Sequence, residues 1–153
     1  MDDYYNLESF VPTRSVLSLV GRVKNEAAAA LDQALASDTG LAALEVTSAQ
    51  YVIIATLAQR EADSAAQLCK SFSYDPGAMT RMVDRLEAKG LIRRRRNSDD
   101  RRLINLELTD EGNALFPKMR ALAMNVQNRL LRGLTKSEVE AMAGYLGRIL
   151  DNA

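Results

Sequence analysis

Six arginines, Arg93, Arg94, Arg95, Arg96, Arg101 and Arg102, fall within ten positions of a 153-residue chain whose basic and acidic totals are equal at 20 each. A guanidinium is always charged and carries five donors in a rigid fork, so such a cluster suits phosphate oxygens and other planar anions. Residues 79–102 hold nine Lys/Arg against four Asp/Glu, a local excess of +5 balanced by −5 in the rest of the chain. A molecule polarised in this way repels polyanions everywhere except at one patch. A solvated charge run is the plain alternative, and the flanking residues have to decide between the two.

Other chemistries are poorly supplied. The chain has no histidine, which removes the commonest general base, the commonest metal ligand and every Ser-His or Cys-His pair. Its single cysteine, Cys69, excludes an internal disulfide and a multi-cysteine metal site. No Gly-rich phosphate loop or paired-carboxylate motif is present, so the expectation is a protein without catalytic residues, metal or cofactor. Apolar residues make up 47% and charged residues 26%, ordinary for a soluble globular chain, and the length fits one domain over 1–153. The start, MDDYYNLESF, is acidic rather than a leader pattern, and no run of about 18 apolar residues occurs, so no membrane partner and a cytoplasmic location are expected.

Five stretches read as helices that must carry the basic patch. From about Val11 to Ser37, apolar residues recur at helical spacing (Val16, Leu19, Val20, Val23, Ala27, Ala30, Leu31, Ala34), with Pro12 suited to a first turn. Residues 47–59 open on a Thr47-x-x-Gln50 capping box, and residues 64–72 repeat that spacing with Ser64 and Gln67. Within residues 73–90, Asp75 is a good N-cap, Pro76 suits the first helical position and Gly90 the stop. This helix has an apolar stripe of Met79, Met82, Val83 and Leu86, and an opposite side of Gly77, Thr80, Arg81, Asp84, Arg85 and Lys89. Thr109 caps a long helix to about Arg132, in which Pro117 should introduce a bend. A sixth helix follows another capping box, Thr135 to Glu138, and lines Val139, Met142, Leu146, Ile149 and Leu150 on one face.

Between the fourth and fifth helices, LIRRRR and RLINLELT flank the turn sequence NSDD, and the second arm alternates with a period of two. The arginine cluster is therefore a β-hairpin that must lean on the helices before it. The order gives a mainly α chain with a two-stranded β wing: a helix-turn-helix and wing over 47–108, and a helical region over 8–38 and 109–153 whose apolar faces have no evident partner within one chain.

At residues 79–112 the chain resembles the MarR family of bacterial transcription regulators, winged helix-turn-helix homodimers. The pattern T-R-x-x-D-x-L-E-x-x-G-L-[IV]-x-R is met by Thr80, Arg81, Asp84, Leu86, Glu87, Gly90, Leu91 and Arg94. The wing motif D-x-R follows as Asp100 and Arg102, and L-T-x-x-G as Leu108, Thr109 and Gly112. The start of the fourth helix departs from the family, with Pro76-Gly77-Ala78 where relatives often carry Ser or Thr, so less direct base readout is expected there.

The resemblance implies a double-stranded, pseudo-palindromic DNA partner, a second copy of the chain, and a small aromatic or phenolic effector that releases the DNA. On this reading Gly77, Thr80, Arg81 and Arg85 lie in the major groove. Arg94, Arg96, Arg101 and Arg102 serve the wing, the last two at its tip, and Asp100 steadies the tip by an ion pair. Leu115, Met119, Leu146, Ile149 and Leu150 are the candidates for the dimer interface. Arg14, Ser18 and Tyr51 are candidates for binding an anionic effector, although each also makes sense as a surface or packing residue. Cys69 reads as core filler. The competing class is a winged-helix module that binds protein, RNA or non-specific DNA.

Overall fold

A computed structural model of the chain describes residues 3–97, 100 and 103–153. Its elements run α1 (Val16–Ser37), α2 (Ser48–Ala58), α3 (Ala65–Phe72), α4 (Pro76–Ala88), β1 (Ile92–Arg96), β2 (Ile104–Leu108), α5 (Asp110–Leu130) and α6 (Lys136–Leu150). Short 3-10 turns at Pro12–Arg14 and Ala42–Leu44 precede α1 and α2. The caps explain most boundaries. Thr47 and Gln50 close a reciprocal capping box on α2, as Thr135 and Glu138 do on α6. Asp75 accepts from Ala78 N–H at the start of α4, ahead of Pro76. Gly90 takes φ 71° just after α4, a conformation that a side chain would resist.

Two boundaries depart from the sequence expectation. The first helix begins at Val16 rather than near Val11, because Ser15 caps it and Pro12 belongs to the separate 3-10 turn. At α3, Ser64 accepts from Gln67 N–H, but the Gln67 side chain returns to the N–H of Asp63 and not to that of Ser64. The expected box is shifted by one residue.

One apolar core joins every element except α6. Leu31 and Leu35 of α1, Ile53 and Ile54 of α2, Leu68 of α3, Met79, Val83 and Leu86 of α4, Ile92, Leu106 and Leu108 of the hairpin, and Met119 of α5 all meet in it. The hairpin is antiparallel with Arg94 opposite Leu106 and Arg93 opposite Glu107. Its buried face, Ile92, Leu106 and Leu108, anchors it on the helices. A third backbone joins its free edge, since Leu106 N–H donates to the Asp63 carbonyl at 2.7 Å.

By contrast, α6 has no buried residue, and Met142, Tyr145, Ile149 and Leu150 are exposed. The first half of α1 is similar: Val16, Leu19 and Val23 of its helically spaced apolar set are exposed, as is Leu17 beside them. Met124 and Leu130 of α5 and Leu134 continue this uncovered apolar surface.

Candidate nucleic-acid interface

The turn from α3 into α4 is made by Ser73 at φ 52°, whose N–H and that of Tyr74 both return to the Cys69 carbonyl. Leu68 and Cys69 face the core from α3, so Cys69 packs as the sequence indicates. The turn leaves one side of α4 in the core and the other outside. Thr80, Arg81 and Arg85 are exposed on the outer side, and Gly77 is half-buried. Arg81 and Arg85 have no ion-pair partner among the described residues, so the intrahelical pairing with Asp84 that could have absorbed them is not formed.

Thr80 donates its hydroxyl to the Pro76 carbonyl at 2.9 Å. With its proton engaged there, the oxygen of this exposed side chain can still accept, as from a base-edge amine. Arg81 runs back along the helix: a Cβ placed on Gly77 would lie 3.5 Å from its guanidinium. The tighter neighbour is the capping carboxylate of Asp75, whose Oδ2 would lie 3.0 Å from that Cβ, so the small residue leaves space for the cap of α4.

The four arginines of β1 divide sharply. Arg93 pairs with Glu107 directly across the hairpin at 2.6 Å, and hydrogen bonding to this carboxylate raises the Arg93 pKa further. Arg95 stands on the same face and reaches the same carboxylate only at 3.7 Å, remaining largely exposed. Arg94 bridges to two carboxylates of α4, Asp84 at 2.5 Å and Glu87. Glu87 also accepts the backbone N–H of Arg94. Arg94 is expected from the sequence at the nucleic acid, but its charge is already spent on fastening the wing to α4. Arg96 is exposed at the end of the strand without an ion-pair partner among the described residues.

Beyond β1, Asn97 Oδ1 accepts from Asp100 N–H at 3.1 Å, and Leu103 N–H donates to the Asp100 carbonyl at 2.9 Å. Asp100 thus contributes to closing the wing loop through its backbone. Arg101 and Arg102, assigned to the tip from the sequence, lie outside the described residues. At the base of the wing, Thr109 donates its hydroxyl to the Gly90 carbonyl at 2.5 Å and its N–H to the Leu91 carbonyl at 3.1 Å. Its oxygen also accepts from Gly112 N–H at 3.0 Å. Gly112 lies so close to the Leu91 carbonyl that any Cβ would run into it. The motif letters of residues 84–112 are therefore largely the fastenings of the wing.

The other sequence candidates scatter. Arg14 ends the 3-10 turn before α1 and Ser18 lies in the first turn of α1, whereas Tyr51 lies in α2 one turn beyond Ser48, whose N–H bonds Asp32. Ser18 and Asp32 are about four helical turns apart, roughly 20 Å, so the three residues form no common anion site within one chain. Tyr51 instead lies near Arg120 of α5, while its burial pushes its phenol pKa up. For the interface candidates, Leu150 and Ile149 are exposed and Leu115 and Leu146 half-buried. Met119 is 0% exposed inside the core and has no surface to offer a second copy. Helical periodicity could not separate these two kinds of burial. Lys89, unassigned from the sequence, bonds the Glu45 carbonyl and Gln50. Its acceptors lie some 40 residues away, beyond any local pattern.

The model of the MarR family matches residues 46–104, the span from the loop before α2 through β1 to the start of β2. Over 108 residues the chain is 38% identical to the HTH-type transcriptional repressor MdtR of Bacillus subtilis (strain 168), covering 71% of this chain and 70% of that protein. Its fold is similar to a mutant of MarR from E. coli in complex with operator DNA, with a TM-score of 0.76, 27% identity, and coverage of 97% and 99% of the two chains. It is also similar to Bordetella bronchiseptica BpsR, in a structure concerned with regulation of DNA binding by 6-hydroxynicotinic acid, with a TM-score of 0.76, 25% identity, and coverage of 94% and 98%.

Proposed function

As this chain belongs to the MarR family of DNA-binding transcriptional regulators, we propose that it is a homodimeric, sequence-specific repressor, released from a pseudo-palindromic operator by a small aromatic or phenolic effector. The observation that carries the reading is the division of labour among the basic residues. Arg93 and Arg94 are consumed by Glu107, Asp84 and Glu87, while Arg81, Arg85, Arg95 and Arg96 stay outside on α4 and the wing arm, beside the exposed Thr80. An α-helix about 10–12 Å across enters a major groove about 12 Å wide, and the adjoining wing then lies over the flanking backbone or minor groove. In this reading residues 47–108 are the DNA-binding lobe, with Arg101 and Arg102 at the wing tip, and 8–38 with 109–153 form the dimerisation region.

Dimerisation is supported by the uncovered apolar faces of α1 and α6, which a monomer would leave in water. Repression is supported by the likeness to the repressor MdtR, and effector release by the likeness to BpsR, whose DNA binding is regulated by a hydroxylated aromatic acid. An effector acts only through its different affinity for the DNA-competent and incompetent arrangements.

The test compares binding to the chain's own upstream promoter duplex and to a random duplex at one salt concentration. A preference of roughly 10³-fold or more is expected for a specific regulator. Equal affinities would overturn the reading in favour of a non-specific module. Adding benzoate, salicylate and simple phenols in turn is expected to weaken the specific complex for at least one of them.

A further inference from the structure

The apolar side of α4, Met79, Val83 and Leu86, seats the helix in the core. Apolar contact is non-directional and holds an angle only loosely. The directional contacts of the α4 side chains are few. Thr80 returns to Pro76 within the helix, and Asp84 and Glu87 reach forward to the wing. Lys89, the C-cap of α4, reaches back toward α2. Its ammonium donates to the Glu45 carbonyl at 2.6 Å and to Gln50 Oε1 at 2.9 Å.

Both acceptors are held in place. Glu45 sits at φ 48°, in the left-handed region that non-glycine residues avoid. Gln50 is 4% exposed, and its Oε1 also accepts Thr47 N–H in the capping box of α2. The next residue of that cap, Ser48, donates its N–H to Asp32 of α1 at 2.5 Å. A polar path thus runs from the end of α4, through the start of α2, to the C-terminal third of α1. Burial pushes the Lys89 pKa down, as befits a charge drawn partly out of water to make this contact.

We propose that Lys89 is a positioning residue for paired half-sites: it fixes the angle between α4 and the helices that join the two copies, and so the half-site separation the dimer accepts. The proposal rests on the homodimeric DNA-binding reading above. The 13 residues of α4 span about 20 Å, so a swing of about 10° moves its N-terminal end by roughly 3.5 Å, close to the ~3.4 Å rise of one base pair. Without the tie, a dimer tolerates half-sites one base pair nearer or farther apart.

To test this, wild-type protein selects duplexes from a random-sequence pool, and the best is remade with its half-sites one base pair closer and one farther. Wild type is expected to lose about tenfold or more on each respaced duplex, the scale of one mismatched base pair. Lys89→Met keeps the stem and removes the donors. It is expected to cut the penalty to about twofold while leaving the preferred half-site sequence unchanged, and Lys89→Arg to restore the penalty. Gln50→Met removes the acceptor and is expected to relax spacing in the same way. It carries the test should Lys89→Met lose the wild-type helical circular dichroism. A spacing penalty of wild-type size in a folded variant overturns the proposal, even where affinity falls uniformly, since a uniform fall is the mark of a lost phosphate contact. Unfolding of both variants would make the tie a requirement of the fold and overturn it too. If wild type selects no duplex at all, the DNA-binding reading itself falls, and this proposal with it.

Discussion

Arg94 on β1 and Asp84 on α4 face each other at 2.5 Å across the junction of helix and wing, with Glu87 one turn further along α4 completing the clamp. The Arg94 pKa is raised, chiefly by the hydrogen bond to Asp84. A two-carboxylate clamp of this kind sets the wing's direction relative to α4 before any ligand arrives. Arg94→Ala is expected to cost about 1 kcal/mol of stability, the upper end for partly exposed pairs, read as a lower denaturation midpoint. On DNA the variant should bind more weakly, but its dependence on salt should keep the wild-type slope, because the lost charge was already neutralised within the protein. A slope reduced by a full unit would mean that Arg94 contacts phosphate.

Arg96 is the converse case. It stands exposed at the end of the same strand with no ion-pair partner among the described residues. Arg96→Ala is expected to leave the unfolding free energy within about 0.5 kcal/mol of wild type. Its plot of log affinity against log salt should flatten by about 0.9 per lost phosphate contact. Titrations at four or five salt concentrations measure both variants side by side.

The contrast between these two arginines marks how far the sequence alone could reach. Local signals translated well: Thr47 with Gln50, Thr135 with Glu138 and Asp75 with Pro76 act over three or four residues and form as their spacing indicates. Contacts across a turn did not. The clamp joins residues seven and ten apart, which the motif lists without saying what they touch. Met119 failed for a different reason. A helical stripe reveals that a face is buried but not whether its cover comes from the same chain, and this side chain is covered by its own core. Arg14, Ser18 and Tyr51 were grouped by chemistry alone, and the length of α1 separates them.

Gly112 yields a sharp stability test. Its position is fixed by Thr109, which caps α5 while bonding Gly90, and the Leu91 carbonyl occupies the space of a Cβ. The obstacle is backbone, which cannot swing aside as a flexible side chain would. Gly112→Ala is expected to destabilise the protein by about 1–3 kcal/mol, the range for overpacking, despite alanine's better helix propensity. Urea denaturation measures it. A neutral or stabilising outcome would contradict this close approach.

Asp38, after the end of α1, supplies a pH test. Its carboxylate accepts from Lys118 of α5 at 2.8 Å and from Gly40 N–H at 2.9 Å, and its pKa is lowered, chiefly by the bond to Lys118. A depressed folded value stabilises the native state above the unfolded value near ~3.9 and loses that contribution as pH falls through the folded value. Stability of wild type relative to Asp38→Asn should therefore be constant from neutral pH down to about pH 5 and shrink below about pH 4. A difference that persisted unchanged at the acid end would exclude the ion pair as its source.

On the proposed dimer, the uncovered face of α6 should distinguish an interface residue from a core residue. Leu150 is 74% exposed and Tyr145 62%, so neither contributes to the core of its own chain. Leu150→Glu should therefore leave the folded protomer intact by circular dichroism, whereas Met119→Glu should unfold it by burying a charge without a partner. In a two-fold dimer each substitution occurs twice, and each buried leucine is worth about 1.5–3 kcal/mol. The expected loss of roughly 3–6 kcal/mol raises the dimer dissociation constant by about 10²–10⁴-fold, visible by sedimentation at micromolar concentration. DNA binding should fall with it, since a monomer holds only one half-site. A Leu150→Glu protein that sediments as wild type would place the contact between copies elsewhere on α1 or α5 and remove α6 from the dimerisation region.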